Sequence, residues 1–496
     1  MLIKIRIIAA TLFTTAVTLL FLDYTGTVHT YLGWCAKIQF IPALLAANIA
    51  VSLGVILITL LLGRVYCSVI CPLGIFQDIV AFVSGIGKKN RFSYRTPKMA
   101  FIILRYTLPV IFAAAILTGG GTVTVLLEPY SAYGRMVSQI LGPVWQWGNN
   151  LLAYFAERAN SYAFHSADVW LKSASALAVA LFTLAAVGIF ALKSGRGYCN
   201  VICPAGAVLG LFAKFSLIKP RIDKEKCKRC GLCAKNCKAA CINSEREEID
   251  YSRCVTCFNC LKCCPKGAIK YSPPQSYKKP HDAVSPTDNI SDGGMARRGF
   301  ISAAATLGLG LITRTIASGY EFDGGLAPLE DKHAAPRLIP IVPPGADSYR
   351  NFSKHCTGCQ LCVSTCPNQV LRPSDKNLQP QMSFERGYCR PECVKCSQVC
   401  PSGAISPITP AEKSATQIGR AVWKGELCVI NTDKVSCDLC FRKCPTAAIT
   451  IIDGDGGNIV MIDDNRCIGC GACEQLCPAR PYSAIYVEGV ETHRTV

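Results

Sequence analysis

The stretch CTGCQLCVSTCP, residues 356–367, places four cysteines at C-x2-C-x2-C-x3-C and follows the last with proline. Three thiols on one tight loop and a fourth leaving it are what a four-iron cube needs: four thiolates, three local and one from elsewhere. The file recurs five more times, at 227–237, 254–264, 389–400, 428–444 and 467–477. The file starting at Cys389 has one extra residue, and an eight-residue gap follows Cys428. In two-cluster ferredoxins the fourth cysteine of each file crosses to the other cube. Applied here, Cys227, Cys230 and Cys233 pair with Cys264, and Cys254, Cys257 and Cys260 with Cys237. Cys356, Cys359 and Cys362 pair with Cys400, and Cys389, Cys393 and Cys396 with Cys366. Cys428, Cys437 and Cys440 pair with Cys477, and Cys467, Cys470 and Cys473 with Cys444. That makes six 4Fe-4S clusters on 24 metal-binding cysteines. Proline follows every crossing cysteine but Cys237, which precedes Lys238. Zinc is the bland alternative, but a tetrahedral zinc site draws its ligands from two hairpins and does not use this run.

Around these files the composition points the same way. The chain has 496 residues and 31 cysteines, clustered rather than scattered, so the thiols read as metal ligands and not as a disulfide framework. The formal charge is +19, but six clusters on 24 thiolates, each site near −2, bring the holoprotein to roughly +7. Nucleic acid is therefore not an expected partner. Residues 319–496 hold 18 Lys and Arg against 19 Asp and Glu, whereas residues 1–318 hold 34 against 14. That asymmetry reads as membrane topology.

Four apolar segments are long enough to span a bilayer: Ile7–Leu22, Phe40–Leu62, Met99–Leu117 and Ala174–Leu192. The first lacks a small-residue cleavage site and reads as an anchor. Arg105, near the start of the third span, is expected to snorkel to the interface. Lys4 and Arg6 precede the first span, and Arg64, Lys88, Lys89, Arg91, Arg95 and Lys98 follow the second, opposed only by Asp78. Lys193, Arg196, Lys214, Lys219 and Arg221 follow the fourth, while the 119–172 connection is balanced. The positive-inside rule puts the amino terminus in the cytoplasm. Trp145, Trp147 and Tyr154 in the 119–172 loop read as an interfacial belt, with a quinol border as the second reading.

Seven cysteines remain outside the files. Cys241 and Cys263 flank ligands and read as packing or slack in the assignment, and Cys35 has no partner nearby in sequence. Four more belong to a repeated string, GRVYCSVICPLG at 63–74 and GRGYCNVICPAG at 195–206, identical at nine of twelve positions. Each copy ends an apolar span, so Cys67, Cys71, Cys199 and Cys203 fall on the same, cytoplasmic side. Pro72 and Pro204 suit the first position of a helix, which makes Cys71 and Cys203 its N-caps, where a thiol ionises more easily. A parallel repeat about an axis along the membrane normal would gather all four. A seventh cluster, a redox-active dithiol pair and inert buried thiols all stand open.

The segment MARRGFISAAATLGLGLITRTIA, from 295, resembles a twin-arginine export signal, with Arg297 and Arg298 before Phe300 and Ile301. It departs from the pattern at Ala296 and Ser302, and a short buried helix is the bland alternative. A fifth crossing there takes the remainder outside, and the twin-arginine route suits cargo folded around its metal. The expected fold class is a membrane protein with a four-helix transmembrane domain plus α+β bacterial-type two-cluster ferredoxin domains. The expected division is a membrane domain over 1–218, a cytoplasmic ferredoxin domain over 219–272, a linker over 273–294, the export or anchor segment over 295–318, a linker over 319–345 and a periplasmic four-cluster domain over 346–490. No C-x-x-C-H is present, no histidine falls in a span, and the GLG at 308–310 lacks the context of a nucleotide fingerprint. The chain reads as a wire rather than a site of bond chemistry.

Together these motifs resemble two families end to end. Residues 1–272, with four spans, two C-x3-C-P strings and a two-cluster ferredoxin, are similar to NapH-type membrane ferredoxins. Residues 295–490, with the twin-arginine segment and the wide file at Cys428, resemble NapG-type periplasmic ferredoxins. Met295 stands where a separate second protein would start. The resemblance implies a bacterial inner-membrane component of a quinol dehydrogenase. It would draw electrons from the quinone pool, with quinol as substrate, and pass them to a periplasmic redox protein or reductase of nitrate or nitrous oxide. A redox maturation factor for a periplasmic metalloenzyme, with the string thiols as its active groups, is the alternative.

Overall fold

In the computed structural model the described residues are 1–23, 26–85, 92–94, 96, 98–161, 164–167, 169–273, 331–454 and 457–496. Met1–Pro274 and Lys332–Val496 form one compact unit. The twin-arginine segment lies outside the described residues, as does nearly all of the 273–294 linker.

The amino-terminal half is helical throughout. It runs α1 (Leu2–Leu22), α2 (Thr27–Leu32), α3 (Trp34–Lys37), α4 (Phe40–Leu45), α5 (Ile49–Leu62), α6 (Val65–Val69), α7 (Pro72–Val83), α8 (Met99–Thr118), α9 (Gly121–Leu127), α10 (Pro129–Met136), a π-turn at Val137–Leu141, α11 (Gly142–Arg158), α12 (Ala174–Ser194), α13 (Gly197–Val201) and α14 (Pro204–Ala213). Three of these, α1, α8 and α12, are long and apolar enough to cross a membrane. At 1.5 Å per residue each is about 30 Å long, the thickness of a hydrocarbon core.

The expected single span over 40–62 is instead two helices. Ala47 takes a left-handed φ of 51°, and the Asn48 side chain caps α5 by accepting from the Val51 N–H at 3.2 Å. Apolarity carries the pattern through this point, but an asparagine side chain competes with the helix for its backbone donors. Alone, α5 is about 21 Å long, so among the described residues three helices, not four, reach the length of a membrane span. Arg105 also departs from expectation. It is 7% exposed and donates to the Ser252 carbonyl at 2.6 Å and the Ser252 hydroxyl at 3.2 Å, a cysteine-rich-block partner in place of the interface. The aromatic 119–172 connection is largely helix, and Trp145, Trp147 and Tyr154 sit on α11, each about half exposed.

The first cysteine-rich block is β1 (Lys219–Ile222), α15 (Leu232–Lys235), β2 (Ile242–Asn243), β3 (Glu248–Ile249), α16 (Asn259–Cys263) and β4 (Ile269–Ser272). Its first and last strands pair antiparallel from Lys219 opposite Ser272 to Ile222 opposite Ile269, closing the block. The second contains α17 (Tyr349–His355), α18 (Leu361–Thr365), β5 (Leu371–Pro373), β6 (Pro380–Met382), α19 (Lys395–Val399), α20 (Pro410–Ser414), β7 (Thr416–Trp423), α21 (Val429–Thr432), α22 (Leu439–Arg442), β8 (Ile449–Gly454), β9 (Gly457–Ile462), α23 (Ala472–Leu476) and β10 (Ile485–Thr495). Here β5 pairs with β6, β8 with β9, and β7 with β10. Residues 332–345, expected to be linker, belong to this block. Ile341 and Val342 are buried in its core, Arg337 pairs with Glu474, and the Lys332 ammonium donates to the Glu474, Gln475 and Cys477 carbonyls. The prolines that read as a joint remove backbone donors, which lets this extended stretch pack without a sheet partner.

The two blocks dock on opposite ends of α12. At its amino end the Ser173 and Ser175 hydroxyls donate to Asp375 at 2.7 Å. Past its carboxy end the Arg196 N–H donates to the Lys238 carbonyl at 2.9 Å. Gly195 has φ 61°, and a Cβ there would stand 2.4 Å from the Lys238 carbonyl oxygen. Only glycine permits both that backbone and that approach.

Candidate iron–sulfur and thiol sites

The repeated strings fold into matching pieces, α5–α6–α7 and α12–α13–α14. Cys71 and Cys203 are the N-caps of α7 and α14, with Pro72 and Pro204 at N1, and the Cys203 thiol accepts from the Gly206 N–H at 3.4 Å. All four string cysteines are at most 5% exposed. Their thiols lie within electrostatic reach of one another: Cys71 and Cys203 both sense Cys67 and Cys199, and Cys203 also senses Cys71. The arginine of each string crosses to the other. Arg196 donates to the Cys67 carbonyl at 2.7 Å, and Arg64 to the Cys199 carbonyl at 3.4 Å. Both arginines are fully buried. Arg64 further donates to Asn200 at 2.9 Å and to the Ser252 carbonyl at 3.1 Å, and Gln77 donates to the Cys199 sulfur at 3.1 Å. Asp78 carries the opposing charge, meeting Arg196 at 2.8 Å, Lys238 at 3.5 Å and Arg6. Sequence reasoning passed over this cage. Its signal was present, since each arginine belongs to the repeat and Asp78 is the lone acid in a basic loop.

The file cysteines fall into neighbourhoods that join distant files. Cys260 senses Cys257, Cys254, Cys237 and Cys233. Cys362 senses Cys359, Cys356, Cys400 and Cys396, and Cys396 senses Cys389, Cys366 and Cys393. Burial, with Cys437, Cys428 and Cys477 nearby, pushes the Cys440 thiol up to about 11. Burial, with Cys444, Cys467 and Cys389 nearby, pushes Cys470 up to about 12. Cys473 lies near Cys470, Cys467 and Cys444. Cys233 lies near Cys227 and Cys230. Cys264 packs on the same core as Cys233, and its sulfur accepts from the Ala268 N–H at 3.3 Å. The Cys241 thiol stands 3.4 Å from Cys237 and is hydrogen-bonded to Cys254 as well. That bond draws Cys237 down and pushes Cys241 up.

Two of these groups line small internal spaces. Cys237, Cys241, Cys254, Cys257 and Cys260 face one with Ile242, Ile249, Val255 and Phe258. Cys366, Cys389, Cys393 and Cys396 face another with Val370, Leu371 and Met382. Thiols crowded in apolar surroundings resist ionising because each thiolate is desolvated and repelled by the next. Iron supplies the missing positive charge, so the donor set and its setting fit a cluster. Among the described residues no three His, Cys, Asp or Glu side chains gather tightly enough for a single metal ion; a four-iron cube holds its thiolates farther apart than one ion does.

The neighbourhoods also connect. The Cys389 N–H donates to the Cys470 carbonyl at 2.9 Å. Arg64, beside Cys67, is also near Cys254. Tyr198 senses Cys203, Cys199 and Arg135, and Arg135 senses Cys359. The string thiols therefore sit between the first block and the second.

Comparison with known proteins agrees with this chemistry. Residues 44–90 and 175–224, which hold the two strings, match the 4Fe-4S binding domain family, and residues 355–404 and 435–480 match the 4Fe-4S dicluster domain family. The methylamine utilization ferredoxin-type protein MauM of Methylophilus methylotrophus is 32% identical over 167 residues, 31% of this chain and 72% of that protein. The ferredoxin-type protein NapG of Escherichia coli is 28% identical over 183 residues, 34% of this chain and 78% of its own. NapF of the same organism is 29% identical over 148 residues, 30% and 85%. No solved structure matches the chain. With clustered thiols, 4Fe-4S domains in both halves and these relatives, the chain belongs to the family of iron–sulfur ferredoxin-type electron-transfer proteins that includes MauM, NapG and NapF.

Proposed function

We propose that this protein is a membrane-embedded electron conduit that takes electrons from quinol and delivers them to a redox enzyme on the far side of a bacterial inner membrane. The observation that carries this reading is the docking of two thiol-rich blocks on opposite ends of α12, with the string thiols between them. Six 4Fe-4S clusters would be held by the 24 file cysteines in the crossed sets given above, and each would supply one-electron storage and outer-sphere transfer. In these sites the apolar side chains exclude water, and the backbone N–H groups, such as Ala268 to Cys264 and Ala448 to Cys444 at 3.3 Å, donate to the sulfurs and so tune the potential. The four string cysteines are read as the ligands of a seventh cluster, since their thiols converge and the caged arginines offset the charge of four thiolates.

In this reading the amino terminus and first block are cytoplasmic and the second block periplasmic, reached through a crossing at 295–318. A fourth crossing is made by α5, with the exposed break at Ala46–Asn48 lying beside Gly403 of the second block, at the membrane edge and not within it. The chain thus joins a NapH-type and a NapG-type protein, and its acceptor is a periplasmic reductase or dehydrogenase partner of the kind the Nap and Mau systems serve. The test is direct. Membranes given a short-chain quinol should show cluster reduction by EPR within the turnover time of the pathway. Clusters that stay oxidised, while Cys67→Ser and Cys199→Ser abolish a partner's metal loading, would replace this reading with maturation. A reporter fused after Val496 should be active only in the periplasm.

A further inference from the structure

An open cavity of about 680 Å³ lies just past the end of α1, walled on one side by α2 and α3 and on the other by the second block. His29 lines it, and its side chain is only 8% exposed. Its Nδ1 meets the Asp23 carboxylate at 3.1 Å, and Asp23 is held in turn by the Gly26 and His29 N–H groups at 2.9 and 3.1 Å. Among the described residues the buried His29 Nε2 has no hydrogen-bond partner. A carboxylate on Nδ1 fixes the tautomer that leaves Nε2 as a proton acceptor. A buried ring nitrogen without a partner is costly and points to a group that completes it.

The walls define what that group is. Trp34, 53% exposed, lines the cavity and packs edge-on against Phe13 of α1 at 5.8 Å, and Tyr31 beside it is 79% exposed. That wall runs onto α1, a helix long and apolar enough to cross a membrane. The opposite wall is Thr365, Lys395, Gln398 and Val399. These residues adjoin Cys366, Cys396 and Cys400, which belong to two of the proposed cluster sets. A lipid-borne, two-proton, two-electron donor is the ligand that needs all three features at once: a greasy approach, a proton acceptor and adjacent one-electron acceptors.

We propose that this cavity is the quinol-oxidation site and that His29 is its catalytic base, with Asp23 a positioning residue. This rests on the quinol reading above. Each quinol O–H bond breaks as its proton passes to His29 Nε2 and on to water at the cavity mouth. The two electrons would pass to the 4Fe-4S clusters that the Cys366 and Cys400 sets would hold, one to each, as quinone leaves. Asp23 stands behind His29, and Lys37 and Lys395 are the charged side chains that line the cavity, with Tyr31 a further titratable one.

The experiment uses the full chain in detergent with decylubiquinol as donor, dithionite as control, and EPR as readout. His29→Leu should slow quinol-dependent reduction about 10²-fold or more, the ordinary worth of a general base, with iron content and dithionite reduction unchanged. Asp23→Asn should slow it at least tenfold and displace the pH profile of the rate, which a purely structural role would not do. Gln398→Trp, an exposed wall position, should raise KM for decylubiquinol several-fold and leave kcat within twofold. If wild type is reduced by decylubiquinol and His29→Leu and Gln398→Trp are reduced equally well, this site is wrong and the quinol reading survives. If wild type is not reduced by decylubiquinol at all, the quinol reading fails and this site with it. Should His29→Leu lose iron, Gln398→Trp decides in its place, and an unchanged KM in that variant would overturn the proposal.

Discussion

Asp78 is a single acid serving three cations in a buried cage, so Asp78→Asn should open that cage. Its side chain is 8% exposed and its carboxylate meets Arg196 at 2.8 Å, Lys238 at 3.5 Å and Arg6. At an effective dielectric near 20, each pair at about 4 Å is worth about 4 kcal/mol before desolvation. Removing one partner of a buried pair costs about 3–5 kcal/mol because the other charge is left unpaired. Arg196 also holds the Cys67 carbonyl, so the loss falls on the string turns. Their backbone bonds report it: Ile70 and Cys71 donate to the Tyr66 carbonyl at 2.9 and 3.0 Å, and Ile202 and Cys203 to Tyr198 at 2.9 and 3.1 Å. Amide exchange at these four positions should rise roughly 10²- to 10⁴-fold, the factor that corresponds to 3–5 kcal/mol. Asp464→Asn, which breaks a half-exposed pair with Arg420 at 3.5 Å, should change its neighbours' exchange less than about fivefold. Exchange in Asp78→Asn within fivefold of wild type would refute the cage.

Other substitutions test other parts of the architecture. Gly195→Ala should undock the first block, because its Cβ would stand 2.4 Å from the Lys238 carbonyl at a positive φ, and proteolysis within 219–272 should speed up. Cys396→Ser should lower iron by about four atoms per chain, whereas Cys35→Ser, a buried thiol outside every set, should leave iron content unchanged. Burial lowers His493 to about 4, below its unfolded value near 6.5, so the neutral ring is the form the fold holds. The stability it contributes is present above pH 6.5 and lost as pH falls toward 4, at most about 3 kcal/mol. Exchange of the Val496 amide, which donates to the Ala415 carbonyl at 2.8 Å, should accelerate between pH 6.5 and 4.5 beyond its intrinsic rate in wild type and not in His493→Leu.

Features that depend on neighbours along the chain were legible in the residues alone. Cysteine spacing is local, because three thiols on one loop must lie within a few residues of each other, so the six files and the iron–sulfur chemistry could be read directly. Apolar run length is local too, and it located α1, α8 and α12. It failed at Phe40–Leu62 because one side chain, Asn48, caps the start of a second helix without changing the hydropathy around it. It also missed that 332–345 packs as core, since burial of Ile341 and Val342 depends on strands far along the chain.

Which distant groups meet is a matter of long-range packing, and no local pattern announces it. The two strings lie more than a hundred residues apart, and their arginines cross between them only because two helix–turn–helix pieces pack face to face. Cys237 stands beside Cys254 and Cys241 because the first block folds back on itself between β1 and β4. His29 and Asp23 gave no motif to read. They are six residues apart in the turn after α1, and their meaning comes from the wall that Thr365 and Lys395 bring across from the second block. Local chemistry sets which residues can hold iron or a proton; the tertiary fold sets whether a donor, a proton acceptor and an electron acceptor share one space.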